Sequence, residues 1–423
     1  MTQSTGLLGI RHTPARLDFA HRLLVCRINN SLKIMTQQAS HSPHGGPISA
    51  ALIVGDAPVR LWALSSRERL QRQLTRLSIV EGLSLDQLPQ TSADGLLVLN
   101  AGWVFDEPLV QALRDAPIDT VLMDPETAKP VAAKLRGNRV ASTLEALENP
   151  SSTRALPDFL QSRTPATLAS QYNNKLRKRE APYLMHLSAE SLPAVEQRMF
   201  AGSYKGVTDF ITKYWWPTPA RHVTKLCALA GITPNQVTFV SLLAVIAAFC
   251  CFWQGAFGLG LAFAWLMTFL DTVDGKLARV TLNSSKFGDI FDHGIDLIHP
   301  PFWWWAWIVG LSAIGLPLAQ AAPILWIVIG GYVAQRVEEG LFMKLFGIEM
   351  HIWRPFDSFF RLITARRNPN LALLTLATLA GRPDIGMVAV AVWTLLCFGV
   401  HALQILQAAL AQRRAPITSW LSR

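Results

Sequence analysis

Between Gln236 and Leu410 the chain is written in long apolar blocks, and the second and third of them carry four aspartates in a regular pattern. They form the run Asp271-Thr-Val-Asp274-Gly275-Lys-Leu-Ala278-Arg279, then eight residues to Gly288, then Asp292 and Asp296 at steps of four. Apolar blocks of about 20 residues predict helices that cross a bilayer. A carboxylate at membrane depth is costly and persists where a cation, a partner or a reaction stabilises it. This part of the chain is therefore restricted to helices that turn these residues toward one another.

The apolar residues, half of the 423, are unevenly spread. Up to about Phe210 polar and apolar residues mix as in a soluble domain. Only 16% of the chain is charged, and its net charge of +10 comes from basic residues beside the apolar blocks. The positive-inside rule accounts for that placement, so nucleic acid is not an expected partner. The five cysteines show no metal-ligand spacing, and the adjacent Cys250 and Cys251 read as small apolar residues.

Residues 1–47 read as a poorly ordered or non-native extension. Leu7 to Ile34 is interrupted by Arg11, Arg16, Asp18 and further charges, which does not suit a signal peptide. Met35-Thr-Gln repeats the opening Met1-Thr-Gln, which makes Met35 an alternative start. Residues 48–200 alternate strands and helices: Ala50–Val54 as a strand, Arg67–Leu77 as a helix, Gly95–Leu99 as a strand, Pro108–Asp115 as a helix and Thr120–Met123 as a strand. That order predicts a soluble α/β sandwich with a mostly parallel sheet. The basic run Lys175–Arg179 suits a solvated, membrane-proximal face. Residues 201–234, with Trp215, Trp216 and several cations, read as an interfacial amphipathic helix broken by Pro217 and Pro219.

Six apolar segments occupy about 236–254, 258–280, 287–311, 322–346, 368–382 and 385–410, within a membrane region 235–412 followed by a cytoplasmic tail 413–423. The fifth is short for a span. Cations crowd the connections between the second and third and between the fourth and fifth segments, whereas Leu311–Pro323 carries no charge. The asymmetry predicts an inner-membrane, multi-pass protein with both termini and the aspartates on the cytoplasmic side.

Spacings of three and four place Asp271 with Asp274, and Asp292 with Asp296, on single helix faces. Two helices joined by a short turn then bring four carboxylates into one volume, which demands cations. Oxygen ligands select Mg, Mn or Ca. Gly275, Ala278 and Gly288 keep the faces open to a close helix or a ligand, and Arg279 offers a fork suited to phosphate. Metal-holding carboxylates beside such a cation describe a phosphoryl-transfer site. His293 adjoins Asp292 but points about 100° away around a helix, so it and His299 read as packed or hydrogen-bonded side chains. Trp303–Trp305 and Trp307 read as packing or interfacial residues.

The pattern Asp271-x2-Asp274-Gly275-x2-Ala278-Arg279-x8-Gly288-x3-Asp292-x3-Asp296 resembles the signature of the CDP-alcohol phosphatidyltransferases at every position. Thr233-Pro-Asn-Gln-Val-Thr238 resembles the family's entry to its first span. The resemblance implies a six-helix membrane enzyme, a homodimer, holding two divalent ions (Mg or Mn) that bind the diphosphate of a CDP-linked lipid donor. It implies metal ligation by Asp271, Asp274, Asp292 and, also as general base, Asp296. Gly275, Ala278, Arg279 and Gly288 become nucleotide-binding. In members using a phosphorylated polyol such as inositol phosphate, basic residues of the later helices bind the acceptor, which makes Arg336, Arg361 and Arg367 candidates here. The expected activity is phosphatidyl-type transfer to an alcohol with release of CMP, in phospholipid biosynthesis at the bilayer.

Ala51-Leu-Ile-Val-Gly55-Asp-Ala-Pro-Val-Arg60-Leu, with Arg67–Arg76 and Leu97–Gly102, resembles the opening of a sugar-phosphate nucleotidyltransferase, a Rossmann-like fold. It departs from that family at its phosphate loop, where Pro58 removes an amide donor and Asp56 repels triphosphate. The aspartate expected near Asn100–Gly102 is absent, so a degenerate domain retained as a scaffold or regulatory part is expected. A cation transporter or an inactive membrane scaffold are the rival classes. Both account for the buried carboxylates but not for Gly275, Ala278, Arg279 and the interval to Gly288.

Overall fold

The structure is a computed structural model that describes residues 50–81, 95–148 and 156–422. The expectation for residues 1–47 lies outside these.

The α/β region opens with β1 (Ala50–Val54) and α1 (Ser66–Arg76), followed by β2 (Val80–Glu81), β3 (Leu96–Asn100), β4 (Trp103–Phe105), α2 (Glu107–Asp115), β5 (Thr120–Met123), β6 (Pro130–Leu135) and α3 (Val140–Glu148). Then come β7 (Gln161–Arg163), the single turn α4 (Pro165–Leu168), β8 (Tyr172–Asn173), β9 (Lys178–Arg179), β10 (Leu184–His186) and α5 (Leu192–Gly202). Helix α1 starts at a reciprocal cap: Ser65 Oγ accepts from Glu68 N at 3.2 Å and Ser65 N donates to Glu68 Oε2 at 2.7 Å.

Six strands form one sheet in the order β2-β1-β3-β6-β5-β7. It is mostly parallel, as expected, with one reversed strand: β1 pairs in parallel with β2 and β3, and β5 with β7, but β6 is antiparallel to both of its neighbours. The cause is a tight turn between β5 and β6, where Asp124 Oδ2 accepts from Thr127 N at 3.0 Å and Asp124 N donates to Lys129 O. A short turn of this kind can only reverse the chain, which makes the pair antiparallel. Within the basic run Lys175 and Arg179 are exposed, while Arg177 pairs with Glu349 at 2.6 Å and Lys178 pairs with Glu180.

From Pro217 onward the described chain is mainly helical: α6 (Pro217–Leu229), α7 (Pro234–Trp253), α8 (Phe257–Val280), α9 (Lys286–Ala313), α10 (Ala321–Phe346), α11 (Pro355–Phe360), α12 (Arg367–Leu379) and α13 (Pro383–Gln412). Pro217 begins α6 instead of breaking a helix, after a wide turn at Ile211–Trp215. A proline in a first turn forfeits no intrahelical bond. Tyr214 and Trp215 of that turn are exposed.

Helices α7, α8 and α13 are long and apolar enough to cross a membrane. Their outward faces are apolar too, as at Phe239, Leu243 and Ile246 of α7, which are each about half exposed. Side chains apolar all round a helix mark lipid or protein surroundings on every side. Helix α12 rises only about 20 Å, less than a hydrocarbon core. The helical core contains Trp303, Trp304 and Trp307, all fully buried, with Phe252, Phe257 and Met387. The tryptophans are packing residues: Trp303 Nε1 donates to Val245 O and Trp307 Nε1 to Pro383 O.

A second hydrophobic cluster ignores the expected boundaries near residues 200 and 234. It joins Ala57, Leu61 and Trp62 of the α/β region to Phe200 of α5, Cys227 of α6, and Val273, Leu277 and Val280 of α8. After α13, Leu421 packs against Val207 and Ile352.

Candidate active site

The site begins with the cap of α7. In Thr233-Pro-Asn-Gln the Thr233 hydroxyl accepts from Gln236 N, the Gln236 side chain accepts from Thr233 N, and Pro234 takes the first helical position. This fixes the first turn of α7 against the carboxylate helices. Thr238 Oγ1 donates to Asp274 Oδ2 at 2.6 Å. The side chain of Asn235 lies so close to Gly288 that a Cβ there would sit 2.4 Å from Asn235 Oδ1. A side chain at Gly288 would have to displace that of Asn235. A Cβ on Gly275 would meet nothing nearer than the Arg279 guanidinium at 4.0 Å, so that face of α8 is open.

Helix α8 ends at Val280, the chain turns through Leu282, and Ser285 caps α9 by accepting from Gly288 N at 3.0 Å. Across this turn Asp271 and Asp274 of α8 meet Asp292 of α9. Each of the three offers an oxygen within 4.8 Å of the other two. Asp274 is 3% exposed, and its Oδ1 finds no hydrogen-bond donor among the described residues. Three converging carboxylates with an orphaned oxygen fit a hard divalent cation, and nothing soft enters the set.

Asp296, one turn beyond Asp292, lies outside the trio. Arg367, at the start of α12, donates Nη2 to Asp271 at 2.5 Å and Nη1 to Asp296. The guanidinium expected at an acceptor thus braces two of the carboxylates. Opposite charge at this range in a poorly hydrated site offsets part of their mutual repulsion.

On the other side Arg279 Nη1 and Lys276 Nζ both donate to Ser203 O, at 3.0 and 3.4 Å, and Lys276 stacks over Tyr204. Ala278 is half-buried on the same helix. Arg336 pairs with Glu339 at 3.2 Å, and Glu339 also takes Arg366 and His351. Arg361 is 9% exposed, with Nε and Nη1 lacking partners among the described residues. Burial, with Arg366 next, pushes Arg361 down to about 9. Burial beside Arg177, Arg279 and Arg361 likewise lowers Lys205 to about 8. Cations held against their own repulsion in this way favour an anionic ligand. His293 is exposed and bonds to Asp289 O at 2.8 Å, while His299 is buried against Trp303.

Thr238, Asn235, Lys276, Lys205 and Glu339 are given no individual site role in the sequence reading. For Thr238 the signal was a hydroxyl one turn past a capping box in an otherwise apolar helix. The others depend on partners remote in sequence.

A family model described as CDP-alcohol phosphatidyltransferase matches residues 231–365, the stretch that holds the trio. Residues 231–365 are a CDP-alcohol phosphatidyltransferase domain. Among curated proteins, the chain is 39% identical over 79 residues to an archaetidylinositol phosphate synthase of Pyrococcus horikoshii, covering 18% of this chain and 42% of that protein. It is 30% identical over 135 residues to cholinephosphotransferase 1 of Gallus gallus, covering 29% of this chain and 39% of the relative. It is 30% identical over 115 residues to a phosphatidylinositol phosphate synthase of Mycobacteroides abscessus, covering 26% of this chain and 52% of the relative. The chain therefore spans about half or less of the curated relatives it matches. Arg366 and Arg367 fall just beyond the matched CDP-alcohol phosphatidyltransferase domain.

Proposed function

We propose that this chain is an integral-membrane phosphotransferase that moves a substituted phosphate group from a CDP-linked lipid donor to an alcohol and releases CMP, in phospholipid biosynthesis. The observation that carries the reading is the trio Asp271, Asp274 and Asp292, three ligand oxygens within 4.8 Å, in the spacing of the family signature. Asp271, Asp274 and Asp292 would hold the divalent ions, with Asp296 beside them. When bound, two Mg or Mn ions supply charge neutralisation on the donor diphosphate and on the departing CMP.

The chain's own residues do the rest. Thr238 fixes the rotamer of Asp274, and Arg367 fixes Asp271 and Asp296. Arg279, with the open face at Gly275 and Ala278, receives the nucleotide phosphates. The acceptor hydroxyl gives its proton to an Asp296 carboxylate oxygen. A bond forms from that hydroxyl oxygen to the donor β-phosphorus, and the bond from that phosphorus to the CMP oxygen breaks. Catalysis by such a site is mainly positioning and electrostatics.

For the acceptor we propose a phosphorylated polyol such as inositol phosphate. Two relatives have inositol phosphate in their names. Lys205, Arg336, Arg361 and Arg366 supply a cationic group of the kind its phosphate requires. The wider reading is a homodimer with a six-helix bundle in the bacterial-type inner membrane. The α/β region is of Rossmann-like, nucleotidyltransferase type and faces the cytoplasm with the aspartates.

The test is incubation of purified protein with CDP-diacylglycerol and a panel of alcohols, with CMP and lipid products read by mass spectrometry. CMP release that requires Mg or Mn and stops with chelator is expected, with inositol phosphate the best acceptor. No CMP from any donor and acceptor pair, under conditions where the protein binds Mn, sinks the proposal.

A further inference from the structure

We propose that the α/β region is a positioning part of the metal centre: Arg69, Arg72 and Arg76 of α1 hold the end of α8 and the turn to α9 so that Asp271 and Asp274 meet Asp292. The inference rests on the proposed metal site but not on the identity of the reaction.

The three arginines lie at steps of three and four, on one face of α1. Arg69 Nη1 donates to Val280 O at 2.8 Å, Arg72 Nη1 to Thr281 O at 2.7 Å, and Arg76 Nη2 to Ser284 Oγ at 2.9 Å. The last carbonyls of a helix have no intrahelical donor and carry partial negative charge. Here guanidinium groups from more than 200 residues upstream meet that need. Arg69 is 5% exposed, so its charge has been taken out of water for this contact. Helix α1 is itself anchored by Gln73 Nε2, which donates to Phe105 O at 3.0 Å.

Two further observations point the same way. Leu282, in the turn being held, has a φ of 54°, a left-handed conformation that a branched side chain adopts only where its surroundings impose it. The face of α8 turned from the aspartates, at Val273, Leu277 and Val280, is at most 2% exposed and shares a cluster with Leu61, Trp62 and Phe200. The aspartate helix is thus packed along its back by the α/β region and its associated helices, and bonded at its end by α1. The spacing of two carboxylates on one helix and one on the next depends on that short turn.

The experiment uses the full chain in detergent with the double substitution Arg72→Ala/Arg76→Ala, both residues being half-buried, the corresponding Lys pair, and Arg114→Ala as a control arginine bonded to Asp115 on α2. Mn2+ binding is read by electron paramagnetic resonance, alongside kcat, KM for CDP-diacylglycerol and thermal stability. The Ala pair is expected to weaken Mn2+ binding on the order of tenfold and to lower kcat similarly with KM changed about twofold at most. The Lys pair is expected to recover most of the binding, and Arg114→Ala to match the parent. Mn2+ affinity within about twofold of the parent in the Ala pair overturns the inference. So does a loss that only tracks the unfolded fraction. If the parent binds Mn2+ yet releases no CMP, the proposed reaction fails while the Mn2+ titrations still decide this inference.

Discussion

At the level of single residues, the site is a balance between carboxylates that must converge and the groups that let them. Asp292→Asn removes one of three converging negative charges and is expected to cut CMP formation by about 100-fold or more, read by a CMP-release assay. Thr238→Val keeps the shape but removes the hydroxyl on Asp274. An orienting bond to a ligand carboxylate is expected to be worth about tenfold in the Mn2+ concentration needed for half-maximal rate. Away from the membrane, burial raises Asp106 from 3.8 to about 6, against Lys178 and Arg198. The fold therefore prefers the protonated acid, so its contribution to stability is fully present below about pH 4 and lost as pH rises through about 6. Asp106→Asn is expected to flatten the melting temperature between pH 4 and 7, as followed by tryptophan fluorescence. An unchanged pH slope in that variant would contradict the assignment.

Among elements, close helix approach decides more than helix propensity. A Cβ on Gly310 of α9 would lie 1.9 Å from Phe252 O at the end of α7, and a backbone oxygen cannot swing aside. Gly310→Ala is expected to cost about 2 kcal/mol and to lower the melting temperature in detergent. Gly294 on the same helix has nothing within 4 Å, so Gly294→Ala should be neutral or slightly stabilising. The length of the apolar runs made these helices legible. The spacing in Asp271–Asp296 set the helix faces, and the apolar blocks marked helix boundaries to within a few residues of those observed. Three strands of the α/β region, at Ala50–Val54, Leu96–Asn100 and Thr120–Met123, were legible as buried runs, whereas Pro130–Leu135 and the shorter strands were not read. The reversal of β6 was not legible, because a strand's direction is set by the turn before it and by which neighbour it meets.

For the whole molecule, the shared cluster from Trp62 to Val280 argues against two independent modules. A hydrophobic core that spans both regions couples their unfolding. Near-ultraviolet and far-ultraviolet circular dichroism are expected to report one thermal transition in detergent. Two well-separated transitions would contradict that coupling. The three apolar helices α7, α8 and α13 should keep the protein in the membrane fraction after alkaline carbonate washing.

From the amino-acid order came where the helices run and which faces carry the aspartates. These are local properties: the length of an apolar run, the spacing of residues and the cost of a carboxylate in apolar surroundings all act over a few residues. Tertiary structure alone decided who holds the site together. Arg367 reaches Asp271 and Asp296, Thr238 reaches Asp274, and the arginines of α1 reach the turn after α8. An arginine on an exposed helix face and one capping a distant helix read alike in sequence. Only packing, which removes water and brings the carbonyls of one element to the cations of another, tells them apart.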